Sequence, residues 1–399
     1  MKETRGNRLH IAFLGKMNTG KSSIINALFN REISIVSEVK GTTTDINQKA
    51  MELLPIGPIS VMDTAGLDDC GYLGEKRVKK TLEVLDRTDA AVVVFDYTGV
   101  KECDLELFKT LKEMKIPVLS IINKSDTKEP DKSDIETIEK NSNHTIFTSA
   151  KCDKEIIGKI KQGLINILSE EQLTQKSLIG DIIGKNDTVV LVIPIDKEAP
   201  KGRIILPQVQ TIKDILDNNA ISVVCGVENL KETIDNLKTP PKLVITDSQA
   251  FREVNKTVDN KIPLTSFSII FARIKGDLET FANGAKAIDN LDDNDKILIC
   301  ESCSHHPIED DIGRVKIPNL IKKYSKKNVE FDHVSGHVFP NNIEQYKLII
   351  HCGACMTNRR EVLSRISHSN SKNVPITNYG IAIAKCLGIL DTALKPFRN

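Results

Sequence analysis

Thiol and imidazole side chains gather in two short stretches of the last third of the chain, Cys303-Ser304-His305-His306 and His351-Cys352-Gly353-Ala354-Cys355. Five of the eight histidines fall between His305 and His351, and three of the nine cysteines sit inside the two clusters. Thiolate and imidazole ligate zinc, or the iron of an iron–sulfur cluster, whereas Ca²⁺ and Mg²⁺ take oxygen. The spacing of Cys352 and Cys355 lets both sulfurs turn toward one centre. Buried cysteine usually serves as a small hydrophobe, which suits most cysteines here but not two clusters in matching places. Three cysteines and a histidine also make a legitimate zinc site. Cys300 and Cys303 form a second Cys-x-x-Cys, yet the interval between the two pairs is far longer than in a zinc ribbon. Cys300 closes an apolar run, so burial is its expected role.

Something must hold those residues in place. Each cluster follows an apolar run, Lys296–Cys300 and Tyr346–Ile350, and both runs read as buried parallel strands. Both ligand groups then lie just past the carboxyl ends of strands, where open α/β sheets bind ligands. A helix expected from Met356 onward points its positive end at the site, with Arg359 and Arg360 as further positive charge.

A second set of residues with chemistry opens the chain. The apolar run Leu9–Leu14 leads into Gly15-Lys16-Met17-Asn18-Thr19-Gly20-Lys21-Ser22, the G-x-x-x-x-G-K-[ST] loop. Backbone N–H groups of such a loop wrap phosphates, Lys21 reaches the terminal ones and the Ser22 hydroxyl ligates Mg²⁺. Ser23 opens the helix whose N-terminus faces those phosphates. Asp63-Thr64-Ala65-Gly66 follows another apolar run, placing a carboxylate in the Mg²⁺ shell and the Gly66 N–H at the γ-phosphate. Asn123-Lys124-Ser125-Asp126 follows a third, and Asp126 can accept from N1–H and the exocyclic amine of guanine. Ser149-Ala150-Lys151 would contact the base from its other side. Four motifs in this order, each after a strand, resemble a Ras-like GTPase over residues 8–170. The segment Gly41-Thr42-Thr43-Thr44-Asp45 is similar to the switch loop of bacterial GTPases related to Era and TrmE. That resemblance implies that Thr43 closes on Mg²⁺, that Asn18 holds K⁺, and that Lys21, Thr43 and Asn18 carry catalysis. Leu67 stands where Ras-like enzymes have glutamine, which implies slow, K⁺-stimulated hydrolysis.

With 399 residues the chain is long enough for two or three domains. Its 55 basic and 54 acidic residues, without any Trp, argue against a large nucleic-acid footprint. No apolar stretch is long enough for a membrane. The polar start and the absence of a disulfide pattern fit a cytoplasmic protein. The polar stretch Glu170–Ser177 reads as a linker, and strands and helices alternate after it. A small central unit of this kind has edge strands to protect, so a homodimer formed through it is expected. Neither an internal repeat nor a low-complexity tract is apparent. The resulting expectation is an α/β chain of three domains: 1–170 for the GTPase, 178–262 for dimerisation and 263–399 for the cluster.

Cys303-x-His305, His351-Cys352-x-x-Cys355, Pro307–Pro318 and Pro375-Ile376-Thr377-Asn378-Tyr379-Gly380 together resemble the GTPases that mature FeFe-hydrogenases, the HydF family. The resemblance covers the whole chain. It implies a 4Fe-4S cluster on Cys303, Cys352 and Cys355, with His305 and His351 as fourth-ligand candidates or as neighbours of the cluster. It further implies a scaffold and carrier that receives a diiron precursor made with two radical-SAM maturases and delivers it to apo FeFe-hydrogenase. Ala354 departs from the glycine expected there. The competing readings are an Era- or TrmE-like RNA-associated GTPase with a structural zinc site, and a GTP-regulated redox enzyme.

Overall fold

The computed structural model describes residues 5–31, 37–38, 47–64, 82–174, 177–194, 204–258, 261–302 and 311–398. Two compact units divide the chain, Met1–Gln175 and Lys176–Asn399. Among the described residues no helix is long and apolar enough to cross a membrane.

The first unit is built on β1 (Leu9–Leu14) and β5 (Ala90–Phe95), whose residues are almost all buried. Strands covered on both faces need such unbroken apolar runs. With β2 (Ser37–Glu38), β3 (Asn47–Leu53), β4 (Gly57–Asp63), β6 (Val118–Ile122) and β7 (His144–Phe147) they form a sheet of order β2-β3-β4-β1-β5-β6-β7. Its β2–β3 and β3–β4 pairs are antiparallel, and the remaining pairs are parallel. Helices α1 (Lys21–Arg31), α2 (Glu102–Glu113), α3 (Lys132–Asn141) and α4 (Ile156–Ile167) cover it. Leu28 and Ile160 belong to one core layer, Phe108 and Ile138 to another. The phosphate loop joins β1 to α1, and the other nucleotide motifs follow β4, β6 and β7. Glu170–Leu173, expected as part of a linker, is a helical turn capped reciprocally by Ser169 and Gln172.

The second unit holds two parallel four-stranded sheets. In the first, β8 (Thr188–Val192), β9 (Ile221–Cys225), β10 (Leu243–Thr246) and β11 (Leu264–Ser266) take the order β11-β10-β8-β9. In the second, β12 (Lys296–Glu301), β13 (Glu330–Ser335), β14 (Leu348–His351) and β15 (Ile376–Asn378) take the order β13-β12-β14-β15. Leu264–Ser266, placed by the sequence at the start of a third domain, instead closes the first sheet by pairing with β10. Backbone pairing of that kind leaves no mark on composition.

Read from the fourth strand, both sheets have the order fourth, third, first, second, and their registers match residue for residue. Val189 pairs with Leu243 as Ile297 pairs with Leu348, and Thr246 pairs with Ser266 as His351 pairs with Asn378. The turns before β8 and β12 agree too. Asn186 and Asn294 take φ 67 and 69, and the Asp187 and Asp295 carboxylates accept from Gly184 N–H and Asp292 N–H, both at 2.8 Å. The unit is therefore an internal repeat, correcting the reading that none exists. Its sequence trace is present, in Gly202-Arg203-Ile204-Ile205-Leu206-Pro207 against Gly313-Arg314-Val315-Lys316-Ile317-Pro318. Loops between matched stretches differ in length, so no fixed period survives.

The main helices are α5 (Leu206–Asp217), α6 (Phe251–Thr257), α7 (Phe267–Lys275) and α8 (Leu278–Gly284) in the first copy. The second has α9 (Ile317–Ser325), α10 (Arg359–Ser371), α11 (Tyr379–Cys386) and α12 (Leu390–Leu394). Ser266 caps α7 and its counterpart Asn378 caps α11. The copies meet reciprocally, as two halves about a twofold axis do. Helix α8 packs on β15, while α12 packs on β11. Counterparts Ser268 and Gly380 touch each other: a Cβ at Gly380 would lie 2.4 Å from Ser268 Cβ and 3.1 Å from Ser248 Oγ. Overpacking of a tight contact costs about 1–3 kcal/mol. Gly380→Ala should therefore lower the stability of the second unit by that amount in urea denaturation while leaving GTP affinity unchanged. An unchanged denaturation midpoint would refute the close approach.

Candidate functional site

In the first unit the nucleotide motifs brace one another. Gly20 has φ +97, and a Cβ there would lie 2.1 Å from Asn123 Nδ2. Only glycine fits both demands. Asn123 Nδ2 donates to Thr19 O at 2.8 Å, and its Oδ1 accepts from Ala150 N–H at 3.0 Å. Three of the four motifs thus meet at one side chain. Lys124 Nζ donates to Asn18 O at 2.6 Å and to Asp96 at 2.8 Å, and lies over the Tyr97 ring. Lys21 Nζ donates to Lys16 O at 2.9 Å and also to Gly15 O, which holds the ammonium against the loop. Asn18 is exposed and takes φ 64. Ser23 and Lys151 are exposed as well.

Ser22 and Asp63 line one cavity of about 80 Å³, together with Asn26 and Lys49. A hydroxyl and a carboxylate converging there suit a hard cation. The side chain of Asp126 is open to solvent, and a hydrogen bond from Ser149 holds its carboxyl below the usual range. It is an acceptor at neutral pH, as guanine recognition requires. The sequence did not single out Lys16, which donates to Gly99 O at 2.7 Å and pairs with buried Asp104 at 2.9 Å. This pair ties the phosphate loop to the start of α2. Thr43 and Gly66 lie outside the described residues, as do Leu67 and the Gly41–Asp45 loop.

In the second unit, β12 and β14 are adjacent and parallel, so the residues that follow them emerge side by side. Cys352 comes directly after β14 and is buried, and its N–H donates to Cys300 O at 2.9 Å. The Ser302 N–H, just past the end of β12, points at Cys352 Sγ from 3.2 Å. An N–H aimed at sulfur favours the thiolate over the thiol. Cys355 is half-buried. Cys303 and His305 lie outside the described residues, and among the described residues no three metal-binding side chains gather. The donors that are described have the chemistry a soft metal centre needs: two thiols from one turn, one of them already facing an amide. Cys300 is wholly buried, and burial pushes its thiol up to about 12. It behaves as core.

His351 is committed elsewhere. Its Nδ1 lies 2.8 Å from Cys352 O, which can only accept, so Nδ1 carries the proton and Nε2 the lone pair. That lone pair receives Arg365 Nη1 at 2.9 Å. Arg365 is buried on α10 and also donates to Gly336 O at 2.9 Å and to Glu361 at 2.6 Å. Glu361 in turn accepts from His337 Nδ1 at 2.9 Å. Breaking a buried pair of this kind from one side costs about 3–5 kcal/mol. Coordination through either ring nitrogen would break a bond in this chain, so the geometry favours His351 as a neighbour that orients the Cys352 loop. Arg359, expected to add positive charge at the site, donates to Ile274 O at 2.7 Å and Gly276 O at 3.1 Å, closing the end of α7. Ala354 takes φ +56, a conformation that costs a non-glycine residue about 1–2 kcal/mol. Burial of its methyl returns about 0.8 kcal/mol of that. Sequence reading missed Arg365 and Glu361, although their spacing of four on one helix was a usable signal.

Comparison with known proteins adds three matches along the chain. Residues 178–276 match the hydrogen maturase F dimerization domain, and residues 279–396 match the hydrogen maturase F tetramerization domain. The chain belongs to the hydrogen maturase F family. Residues 10–124 match a family described as 50S ribosome-binding GTPase. Relatives of the first unit include the tRNA modification GTPase MnmE of Desulforamulus reducens, 32% identical over 42% of this chain and 36% of its own length. MnmE of Legionella pneumophila is 36% identical over 36% of this chain and 31% of its own length. The chain thus spans about a third of the length of these curated relatives. Among solved structures, Aquifex aeolicus Era is 22% identical, with a TM-score of 0.33, over 54% of this chain and 92% of that one.

The first unit is a P-loop GTPase, and GTP hydrolysis is its reaction. Replacing the Asp126 carboxylate by an amide should exchange GTP preference for xanthosine triphosphate. Sites built around such a hydrogen bond discriminate by roughly 10⁴-fold. Competition binding of the two nucleotides to Asp126→Asn measures this, and unchanged GTP selectivity would remove Asp126 from the base pocket.

Proposed function

We propose that this chain couples a GTP switch to the holding and handing on of a metal cluster. Cys303, Cys352 and Cys355 bind a 4Fe-4S cluster at the carboxyl ends of β12 and β14. The cluster supplies an iron site at which a diiron precursor can be docked, and that precursor is the cargo. Working with two radical-SAM maturases, the protein carries it to apo FeFe-hydrogenase. The observation carrying this reading is the Cys352 sulfur, placed at a strand end and facing the Ser302 amide, in a chain of the hydrogen maturase F family. Histidines 305 and 351 act beside the cluster, the second by fixing the Cys352 loop through Arg365.

In the GTPase unit, Ser22, Asp63 and Thr43 form the Mg²⁺ shell and Asn18 holds K⁺ near the phosphates. A cation there stabilises charge developing on the leaving group. Hydrolysis should then be faster in K⁺ than in Na⁺, and Asn18→Ala should abolish the difference while sparing GTP binding. Equal rates of the parent in both salts would discard K⁺. The homodimer forms through β9, one of the two edges of its sheet among the described residues, where Ile221 and Val224 are 49% and 50% exposed.

Cys352→Ser replaces a soft ligand with a hydroxyl that binds iron poorly. The variant should be soluble, hydrolyse GTP at near-parental rate, show little 4Fe-4S signal in electron paramagnetic resonance and fail to activate apo-hydrogenase. Cys300→Ser should keep both signal and activation. Full activation by Cys352→Ser would sink the proposal, and so would a colourless parent carrying stoichiometric zinc.

A further inference from the structure

Two copies of one unit in a single chain let each residue of the second be compared with its counterpart in the first. Apolar positions along the strands are kept: Val189 and Ile297, Leu191 and Ile299, Leu243 and Leu348. The carboxyl ends differ. Ile193 becomes Glu301, Val224 becomes His333, Thr246 becomes His351 and Phe267 becomes Tyr379, beside the change from Asp247 to Cys352. Burying a carboxylate is costly unless it is paired and hydrogen-bonded. The first copy forms the same sheet with isoleucine at that place, so the fold does not require the carboxylate.

Glu301 is buried, and its carboxylate is held on several sides. The Tyr379 hydroxyl donates to Oε1 at 3.4 Å, the Ser335 hydroxyl to Oε2 at 3.5 Å, and the Arg314 guanidinium lies 3.8 Å away. Gly313 covers the pair so closely that a Cβ there would lie 2.2 Å from the Tyr379 oxygen and 2.5 Å from Glu301 Oε1. Burial, then the charges of Cys352, Glu301 and Asp311, push the Tyr379 hydroxyl far up, so it stays a donor. The Glu301 carbonyl accepts from Gly336 N–H at 2.7 Å. The same peptide plane carries the Ser302 N–H that faces Cys352 Sγ at 3.2 Å.

Building on the cluster reading above, we propose that the Tyr379–Glu301 pair is a positioning device found only in the second copy. It fixes the Glu301–Ser302 peptide so that its N–H stays on the Cys352 sulfur. Hydrogen bonds to sulfur and local charge set the reduction potential of iron–sulfur clusters, and an N–H aimed at sulfur favours the more negative, reduced state. The pair thereby holds the potential up, without touching iron.

The test is Tyr379→Phe, a change that installs the residue the first copy carries at Phe267, in the full-length protein reconstituted anaerobically with iron and sulfide. Its control is Phe267→Tyr, the mirror change. Tyr379→Phe should keep parental GTP hydrolysis and an apo-protein melting temperature within a few degrees of the parent. Its cluster midpoint potential should move negative, with an altered resonance lineshape, and the control should move neither. Loss of cluster at an unchanged melting temperature would be the same effect carried further and supports the assignment. Parental midpoint and lineshape in Tyr379→Phe overturn it, as does a collapsed melting temperature, which would make the pair merely structural. A parent that takes up no cluster at all overturns the underlying reading instead, a result separable from an unmoved midpoint.

Discussion

The second unit depends on a steric constraint: two helices approach so closely at Ser268 and Gly380 that one of them must lack a side chain there. Because these positions are counterparts, the contact lies on the axis relating the two copies and fixes both halves at once. Its consequences spread from there. A Cβ on Gly353 would stand 4.0 Å from Ser268 Oγ, so the loop between Cys352 and Cys355 is set against the same helix. Asn378, one strand away from His351, caps α11 and also donates to Ser268 O at 3.0 Å. The loop between Cys352 and Cys355 is thus braced by the seam between the copies as well as by its own sheet.

Electrostatics then decides what each polar group there can do. A guanidinium buried on α10 needs acceptors for its protons, and His351, Glu361 and Gly336 supply them. Meeting that need locks the histidine tautomer, and the histidine holds the Cys352 carbonyl. One buried charge on a helix is thereby converted into the orientation of a loop. In the first unit Asn123 plays a comparable part for nucleotide, with a neutral amide in place of charge.

Much of this was legible in the sequence. The nucleotide motifs carry it in fixed residue types, because phosphate, Mg²⁺ and guanine each dictate an atom at a given place. Placement of Cys352 at a strand end could be read from the apolar run before it. Pairing could not: Leu264–Ser266 looks like the start of something new, and only its hydrogen bonds to β10 assign it to the earlier sheet. The repeat stayed hidden because what is conserved between copies is register and backbone turns, such as the left-handed Asn186 and Asn294, while side chains drifted. The spacing of Glu361 and Arg365 marks a pair on one face of a helix, but the polar composition of that helix gives no sign that the pair is buried.

Both copies leave their second strand at the rim of a sheet, and the two rims are dressed differently. Strand β13 carries exposed Glu330 and Asp332, like charges that repel a neighbouring strand, whereas β9 presents Ile221 and Val224 with no charge between them. An uncharged β-branched rim adds strands from any source. If β9 forms the dimer as proposed above, a newly made chain enters a race in which its own kind must arrive before unrelated unfolded protein does. Abundance and chaperone supply during synthesis then bear on which strand that rim meets first.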